Sequence, residues 1–197
     1  MIEAILSLPD GPDKTARIAA WIQSCFRDPT RVPILVGGAA VEIVTGGAYT
    51  TGDLDFVGRV DRAACSEMKR AGFRRRGRHW IHEDAQVFVE FPGESLGPSE
   101  RSEFFTIGEL RIRMVSLEDL LVDRLGAWQH WKSSVDGANA WALWRAAQAR
   151  MDISRLQNRI REEGWQEALE RLMSFAEQWC DDEPTADEVE AWALQWP

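Results

Sequence analysis

Residues 34–57 organise the rest of the chain. They read Ile34-Leu35-Val36-Gly37-Gly38 at one end and Asp53-Leu54-Asp55-Phe56-Val57 at the other. The pattern predicts a buried strand, a paired-glycine turn, a short apolar helix, a polar loop and a second strand. Because side chains alternate across a strand, Asp53 and Asp55 should share one face, while Leu54 and Phe56 point into a core. Two carboxylates on an otherwise apolar strand are costly unless a cation or hydrogen-bond donors meet them.

The acidic pair indicates a site for a hard divalent cation. Mg²⁺ prefers carboxylate oxygens, and two metal ions about 4 Å apart can be bridged by one carboxylate and flanked by others. Glu90 is the candidate third ligand, because it is an acid among the apolar residues of another predicted strand. The glycines Gly37 and Gly38 let a ligand approach the backbone, and amides at the start of a helix favour a phosphate. The alternatives are a capped, solvated loop for the Asp pair and an edge-strand carboxylate in water for Glu90.

Composition places the chain among soluble globular proteins. It has 197 residues, 45% hydrophobic and 28% charged, with a formal net charge of −9. That charge argues against a surface that grips nucleic acid everywhere, but it permits a local basic patch. No apolar run approaches the roughly 20 residues that span a bilayer. The N-terminus lacks a basic segment followed by an apolar stretch, so we do not expect a secretory signal. Because the three cysteines, Cys25, Cys65 and Cys180, are few and far apart, we expect reduced thiols in the cytoplasm. Because no apolar run could span a bilayer, we expect no membrane partner.

The predicted secondary structure changes near residue 116. Residues 1–115 read as a mixed α/β domain, and residues 116–197 read as an all-helical region. Strands are predicted over 32–36, 53–58, 73–78, 80–82, 86–91, 104–107 and 110–115. Helices are predicted over 12–27, 38–44 and 61–70, then over 117–131, 136–150, 152–163, 165–179 and 185–195. Asp61 and Thr185 are the expected N-caps of two of these helices.

Two clusters leave alternatives open. The run Arg74-Arg75-Arg76-Gly77-Arg78 fits a solvated hairpin, or a contact with a polynucleotide or triphosphate. Four tryptophans (Trp128, Trp131, Trp141 and Trp144) fit a helix–helix core more simply than a base-stacking platform. The histidines lack partners at metal-ligand spacing, and we expect structural roles for them.

The glycine pair, the spacer and the Asp-hydrophobic-Asp strand resemble the polymerase-beta-like nucleotidyltransferase superfamily. Val36-Gly37-Gly38 and Asp53-Leu54-Asp55-Phe56 match its pattern, and Thr50-Thr51 suits its polar approach to the acidic strand. Residues 115–127 resemble the helix after the sheet in the small bacterial nucleotidyltransferases of toxin–antitoxin and abortive-infection systems. The resemblance covers roughly residues 32–145. Glu90 stands where Asp is commoner, and Arg124 stands where Lys is commoner.

The resemblance implies an α/β (α+β) fold, with a nucleotidyltransferase-type mixed sheet flanked by helices and an all-helical C-terminal region. It implies Mg²⁺ or Mn²⁺ as cofactor and a nucleoside triphosphate as donor. The implied catalytic and metal-binding residues are Asp53, Asp55 and Glu90. The implied nucleotide-binding residues are Gly37, Gly38, Thr51, Arg124 and Lys132, with Asp136 and Asn139 in a loosely matching downstream stretch.

The implied activity is transfer of a nucleotidyl group to an RNA, protein or small-molecule acceptor. The alternative is a non-catalytic nucleotide-binding module in a bacterial toxin–antitoxin-type pair, whose helical region docks a protein partner or a second copy of the chain. An open acidic site beside Gly38 would favour the enzyme, and loss of the third metal ligand would favour the module.

Overall fold

The chain forms two compact units. A computed structural model describes residues 2–179 and 182–196, and it divides the chain into Met1–Ser116 and Leu117–Pro197. The described part of the first unit is mixed α/β, and that of the second is helical. Cys25 and Cys65 are free thiols, while the thiol predicted at Cys180 lies outside the described residues. Burial raises the pKa of Cys25 to about 12, so this thiol stays protonated.

One mixed sheet runs through the first unit. Its described strands lie in the order β3-β4-β5-β2-β1-β7-β6. The β2–β5 and β1–β7 pairs are parallel, and the other neighbours are antiparallel. The mixed sheet predicted from the sequence is therefore confirmed. The elements are α1 (Ile2–Leu6), α2 (Pro12–Ser24), β1 (Ile34–Val36), α3 (Gly37–Thr45), β2 (Asp53–Val57), α4 (Arg62–Arg70), β3 (Arg74–Arg76), β4 (His79–His82), β5 (Val87–Gly93), β6 (Ser102–Ile107) and β7 (Leu110–Val115), with a 3₁₀ turn at Pro29–Arg31.

The centre of the sheet follows from the alternation in residues 34–57. Leu35 of β1 and both Leu54 and Phe56 of β2 are buried, as their strand positions predict. Helix α3 ends where Gly46 takes a left-handed conformation, with φ of +66°. Asp61 caps α4, because its carboxylate accepts a hydrogen bond from the Ala64 amide. These signals are local, so the sequence could place the elements.

The second unit consists of short helices. They are α5 (Leu117–Trp131), α6 (Ser134–Ala147), α7 (Ile153–Glu163), α8 (Gln166–Gln178) and α9 (Ala186–Leu194), with a 3₁₀ turn at Gln148–Arg150. Thr185 and Glu188 form the predicted capping box at the start of α9. In the described part of the chain, no helix combines the length and apolar character that crossing a bilayer requires.

The tryptophan core prediction holds for three of its four members. Trp128, Trp141 and Trp144 are buried. The prediction is wrong for Trp131, which is 75% exposed. Trp131 is the last residue of α5, and the chain leaves the helix at Lys132, whose φ is +56°. Trp131 therefore follows Trp128 at the predicted spacing of three residues, but it lies in the last turn of α5, which leaves its side chain exposed.

Candidate active site

Strand register brings the three predicted acids to one face of the sheet. Asp55 of β2 pairs with Glu90 of β5 on one side and with Val36 of β1 on the other. Residues in register point the same way, and alternation adds Asp53 to the same face. Neighbouring strands lie about 4.8 Å apart and alternate residues about 7 Å apart, so the three side chains start from one small patch. The opposite face carries the buried pair Leu54 and Val89.

The turn between β1 and α3 lies directly against Asp55. Gly37 has a φ of +66°, and a Cβ atom at this position would lie 2.9 Å from Asp55 Oδ2. The backbone conformation favours glycine here, and any Cβ atom would displace the Asp55 carboxylate. A Cβ atom on Gly38 would lie 3.2 Å from Thr51 Oγ1 and 3.2 Å from Tyr49 Cε1. The backbone of Gly37 therefore lies beside Asp55, and the backbone of Gly38 lies beside the loop that precedes Asp53.

Glu90 is held by two basic side chains. Arg78 Nε lies 2.5 Å from Glu90 Oε1, and His79 Nδ1 lies 3.3 Å from Glu90 Oε2. Both carboxylate oxygens are engaged, and the Glu90 side chain is 18% exposed. Within residues 2–179 and 182–196, no group of three or more His, Cys, Asp and Glu side chains is arranged to hold a metal ion. The guanidinium of Arg78 is thus the cation that Glu90 meets in this structure.

The sequence interpretation missed Arg78 and His79 as partners of Glu90. The sequence pattern favours a hairpin or phosphate contact for Arg78 and a structural role for His79. The signal is the register of β4 against β5, which pairs His79 with Glu90. The register of two strands depends on how the sheet is assembled, and the spacing of residues along the sequence does not predict it.

The rest of the arginine run belongs to a solvated edge. Strand β3 is exposed along its length and lies at one end of the strand order. Arg74 and Arg76 approach Glu83 at 3.8 Å and 2.5 Å, and Arg75 Nε donates to the Gly77 carbonyl. These contacts support the solvated-hairpin interpretation for Arg74–Arg76 and leave Arg78 with a separate role.

A buried carboxylate supports the loop before Asp53. Glu42 of α3 is fully buried, and its Oε2 accepts a hydrogen bond from the Thr51 amide at 3.3 Å. Thr51 Oγ1 in turn accepts from the Asp53 amide at 3.3 Å. Burial raises the pKa of Glu42, and the hydrogen bond from the Thr51 amide opposes that rise. Glu42 Oε1 has no hydrogen-bond partner. Glu42 is the lone acid in the apolar helix predicted over 38–44, and this pattern could have identified it from the sequence.

Arg124 and Lys132 both belong to the second unit. Arg124 Nη1 donates to Asp136 Oδ1 at 2.6 Å, and Arg124 Nη2 lies 2.5 Å from Asp123 Oδ2. Lys132 Nζ lies 4.6 Å from the centre of the Trp196 ring. The charge of Arg124 is therefore balanced by carboxylates, and Lys132 makes a cation–π contact. Their contact with phosphate stays a prediction.

Comparison with known proteins bears on the fold. No protein-family model matches the sequence, and no curated protein matches it. Among solved structures, the chain is similar to an antigenic nucleotidyltransferase-like protein from Paracoccidioides brasiliensis, with a TM-score of 0.55 and 16% sequence identity. The match covers 83% of this chain and 95% of that chain. An identity this low carries the fold alone, and the chain therefore has a nucleotidyltransferase-like fold.

Proposed function

We propose that the chain is a metal-dependent nucleotidyltransferase, which moves a nucleotidyl group from a nucleoside triphosphate to an acceptor hydroxyl. The observation that carries the proposal is the register of Asp55 with Glu90, on the face shared by Asp53 and beside the Gly37 turn. The nucleotidyltransferase-like fold supports it. The acceptor is an RNA, a protein or a small molecule.

The carboxylate set fits a hard divalent cation in its chemistry. Asp53 and Asp55 would hold Mg²⁺ or Mn²⁺, and Glu90 would join them once Arg78 releases it. When bound, divalent ions would neutralise the charge of the phosphates and polarise the α-phosphate. The backbone at Gly37 leaves room beside Asp55 that any side chain would fill.

The remaining steps fall to the chain's own groups. Amides at the start of α3 would bind the β- and γ-phosphates, since a helix N-terminus favours anions. The acceptor oxygen attacks the α-phosphorus, the bond from that phosphorus to the β-phosphate oxygen breaks, and pyrophosphate leaves. The acceptor proton passes to a carboxylate oxygen of Glu90. Thr51 holds the loop that positions Asp53, and the phosphate-binding role that the resemblance implies for Arg124 and Lys132 stays a prediction.

Transfer of radiolabelled α-phosphate tests the proposal. The full chain is incubated with Mg²⁺, each common triphosphate, and a panel of RNA, protein and small-molecule acceptors. Asp53→Asn and Asp55→Asn should each lower labelling by about a hundredfold or more, because a charge-stabilising group is lost from the transition state. Asp84→Asn is the matched control, since Asp84 is an exposed acid in the turn before β5. Equal labelling by the wild type and both site variants would overturn the catalytic proposal.

The Arg78–Glu90 ion pair favours a second candidate, a non-catalytic nucleotide-binding module. In this role the third carboxylate stays neutralised, and the chain serves a bacterial, cytoplasmic toxin–antitoxin-type pair through a protein partner or a second copy. Calorimetric titration with each triphosphate separates the two. The module binds a triphosphate and loses it in Asp53→Asn, but the wild type transfers no label to any acceptor.

A further inference from the structure

A cavity lies at the far end of the strands that carry the acids. It has a volume of about 750 Å³ and lies in the first unit, between the start of β1 at Ile34 and the end of β2 at Val57. Because these strands are antiparallel, Gly37 and Asp53 lie at their other end. Four residue steps along β2 separate Asp53 from Val57, a distance of about 13 Å. The volume is that of a site for a small ligand.

The cavity is basic in an acidic protein. Four arginines line it, against two carboxylates, whereas the whole chain carries a formal net charge of −9. One of those carboxylates, Asp61, caps α4, and the other, Glu94, lies 3.7 Å from Arg59 with both side chains exposed. Such exposed pairs are weak. The arginines are Arg31, Arg59, Arg62 and Arg113.

Arg113 is the member that points to a ligand. Its Nε donates to Ser102 Oγ at 3.1 Å, and its Nη1 donates to the Val32 carbonyl at 2.9 Å. Both acceptors are neutral, and within the described residues no carboxylate pairs with this half-buried guanidinium. A charge removed from water without a counter-charge is costly, and the planar guanidinium fork matches phosphate.

The position of Arg113 is fixed by a residue 90 positions away. Gln23 is buried, its Oε1 accepts from the Arg113 amide at 2.9 Å, and its Nε2 donates to the Arg113 carbonyl at 2.7 Å. The same Nε2 lies 2.9 Å from the Pro33 carbonyl. Helix α2 therefore anchors the backbone of β7 at the residue that presents its guanidinium to the cavity. The site is held in place before any ligand binds.

We propose that this cavity binds the phosphate group of a ligand, with Arg113 as the central contact and Arg31, Arg59 and Arg62 at the rim. The phosphate belongs either to a small phosphorylated molecule or to the backbone of a single-stranded RNA. The site is separate from the acidic face, and it needs no divalent cation.

Binding without metal tests the proposal. Pyrophosphate is titrated by calorimetry, and a fluorescent single-stranded RNA by anisotropy, into the full chain with EDTA present. Arg113→Gln should raise the Kd of the bound probe about tenfold or more, and Arg113→Lys should recover only part, because it restores the charge without the fork. Arg59→Gln, at an exposed rim position, should raise the Kd a few-fold with the fold intact. Arg75→Gln on the exposed strand β3 is the matched control and should leave the Kd unchanged.

Each outcome decides a point. Pyrophosphate binding that depends on Arg113 identifies a small phosphorylated ligand, and RNA binding alone that depends on Arg113 identifies a phosphodiester backbone. If neither probe binds, or if Arg113→Gln and Arg59→Gln bind as the wild type does, the site does not exist. Asp55→Asn should leave this binding unchanged, so failure here is distinguishable from failure of the nucleotidyltransferase proposal.

Discussion

Substitution of Gly37 by alanine should damage the candidate active site more than its backbone cost alone. An alanine held at φ of +66° costs about 1–2 kcal/mol, because a left-handed conformation crowds Cβ against the backbone. The new Cβ would also lie 2.9 Å from Asp55 Oδ2, so the carboxylate or the turn must move. Because Oδ2 is the end of a side chain, an off-rotamer shift of Asp55 adds about 0.5–1.5 kcal/mol. We expect Gly37→Ala to carry both costs.

The chain supplies a matched control at the other end of the same helix. Gly46 also has a φ of +66°, but a Cβ atom there would meet nothing within 4 Å. Gly46→Ala should therefore carry the backbone cost alone, and the difference between the two variants measures the contact with Asp55. Urea unfolding is followed by far-ultraviolet circular dichroism, because eight of the ten tryptophans lie after Ser116 and fluorescence would report mainly the helical unit.

Binding separates the two variants further. In calorimetry with Mg²⁺ and a triphosphate, Gly37→Ala should bind at least about tenfold more weakly, while Gly46→Ala binds as the wild type does, since a shift of about 1.4 kcal/mol is tenfold in affinity. If both variants lose the same free energy of unfolding and both keep wild-type binding, the close approach of Gly37 to Asp55 has no functional role.

Three further predictions follow from charged groups. Arg78→Ala should release Glu90 and increase Mn²⁺ affinity, measured by electron paramagnetic resonance, and an affinity unchanged or lower would contradict the role given to Arg78. Burial raises the pKa of Glu42, so the stability that this side chain contributes is present at pH values below the ordinary carboxyl pKa and is lost as the pH rises through the folded-state pKa. Thermal melts at a series of pH values should therefore show Glu42→Gln gaining stability relative to the wild type as the pH rises from mildly acidic to neutral. A difference in stability that does not change with pH would refute this. Asp119 is buried between Arg155 and Arg159, so Asp119→Asn should destabilise the helical unit by about 3–5 kcal/mol. The loss should be measured as a lower urea midpoint by tryptophan fluorescence. Asp187→Asn, on the exposed start of α9, is the control and should change the midpoint little.

The sequence predicted the elements whose signals are local. The strand pattern of residues 34–57 placed Leu54 and Phe56 in the core, and caps such as Asp61 marked helix starts. Helix α1 was not predicted, because five residues, Ile2–Leu6, are too few to show a period. Trp131 was misassigned because periodicity reports which side of a helix a residue occupies, and not where the partner helix begins.

Features that depend on strand order stayed out of reach. Gln23 meets Arg113 across 90 residues, and Arg78 meets Glu90 only because β4 lies beside β5. The basic cavity could not be predicted from composition either, because a net charge of −9 is a sum over the chain and does not show where the charged residues lie in the fold. The acids could be nominated from the sequence, but their partners could not.

The Arg78–Glu90 pair is compatible with metal binding because its two halves differ in exposure. The Arg78 side chain is 67% exposed, whereas that of Glu90 is 18% exposed. Water can solvate the exposed guanidinium of Arg78 once it leaves Glu90, which lowers the cost of separating the pair. Glu90, which is less exposed, would lose its counter-charge if Arg78 left, and a divalent cation held by the acidic residues would supply a larger one. Under the proposed function, a divalent cation that accompanies a triphosphate would replace the guanidinium, and without such a cation Arg78 remains the counter-charge of Glu90.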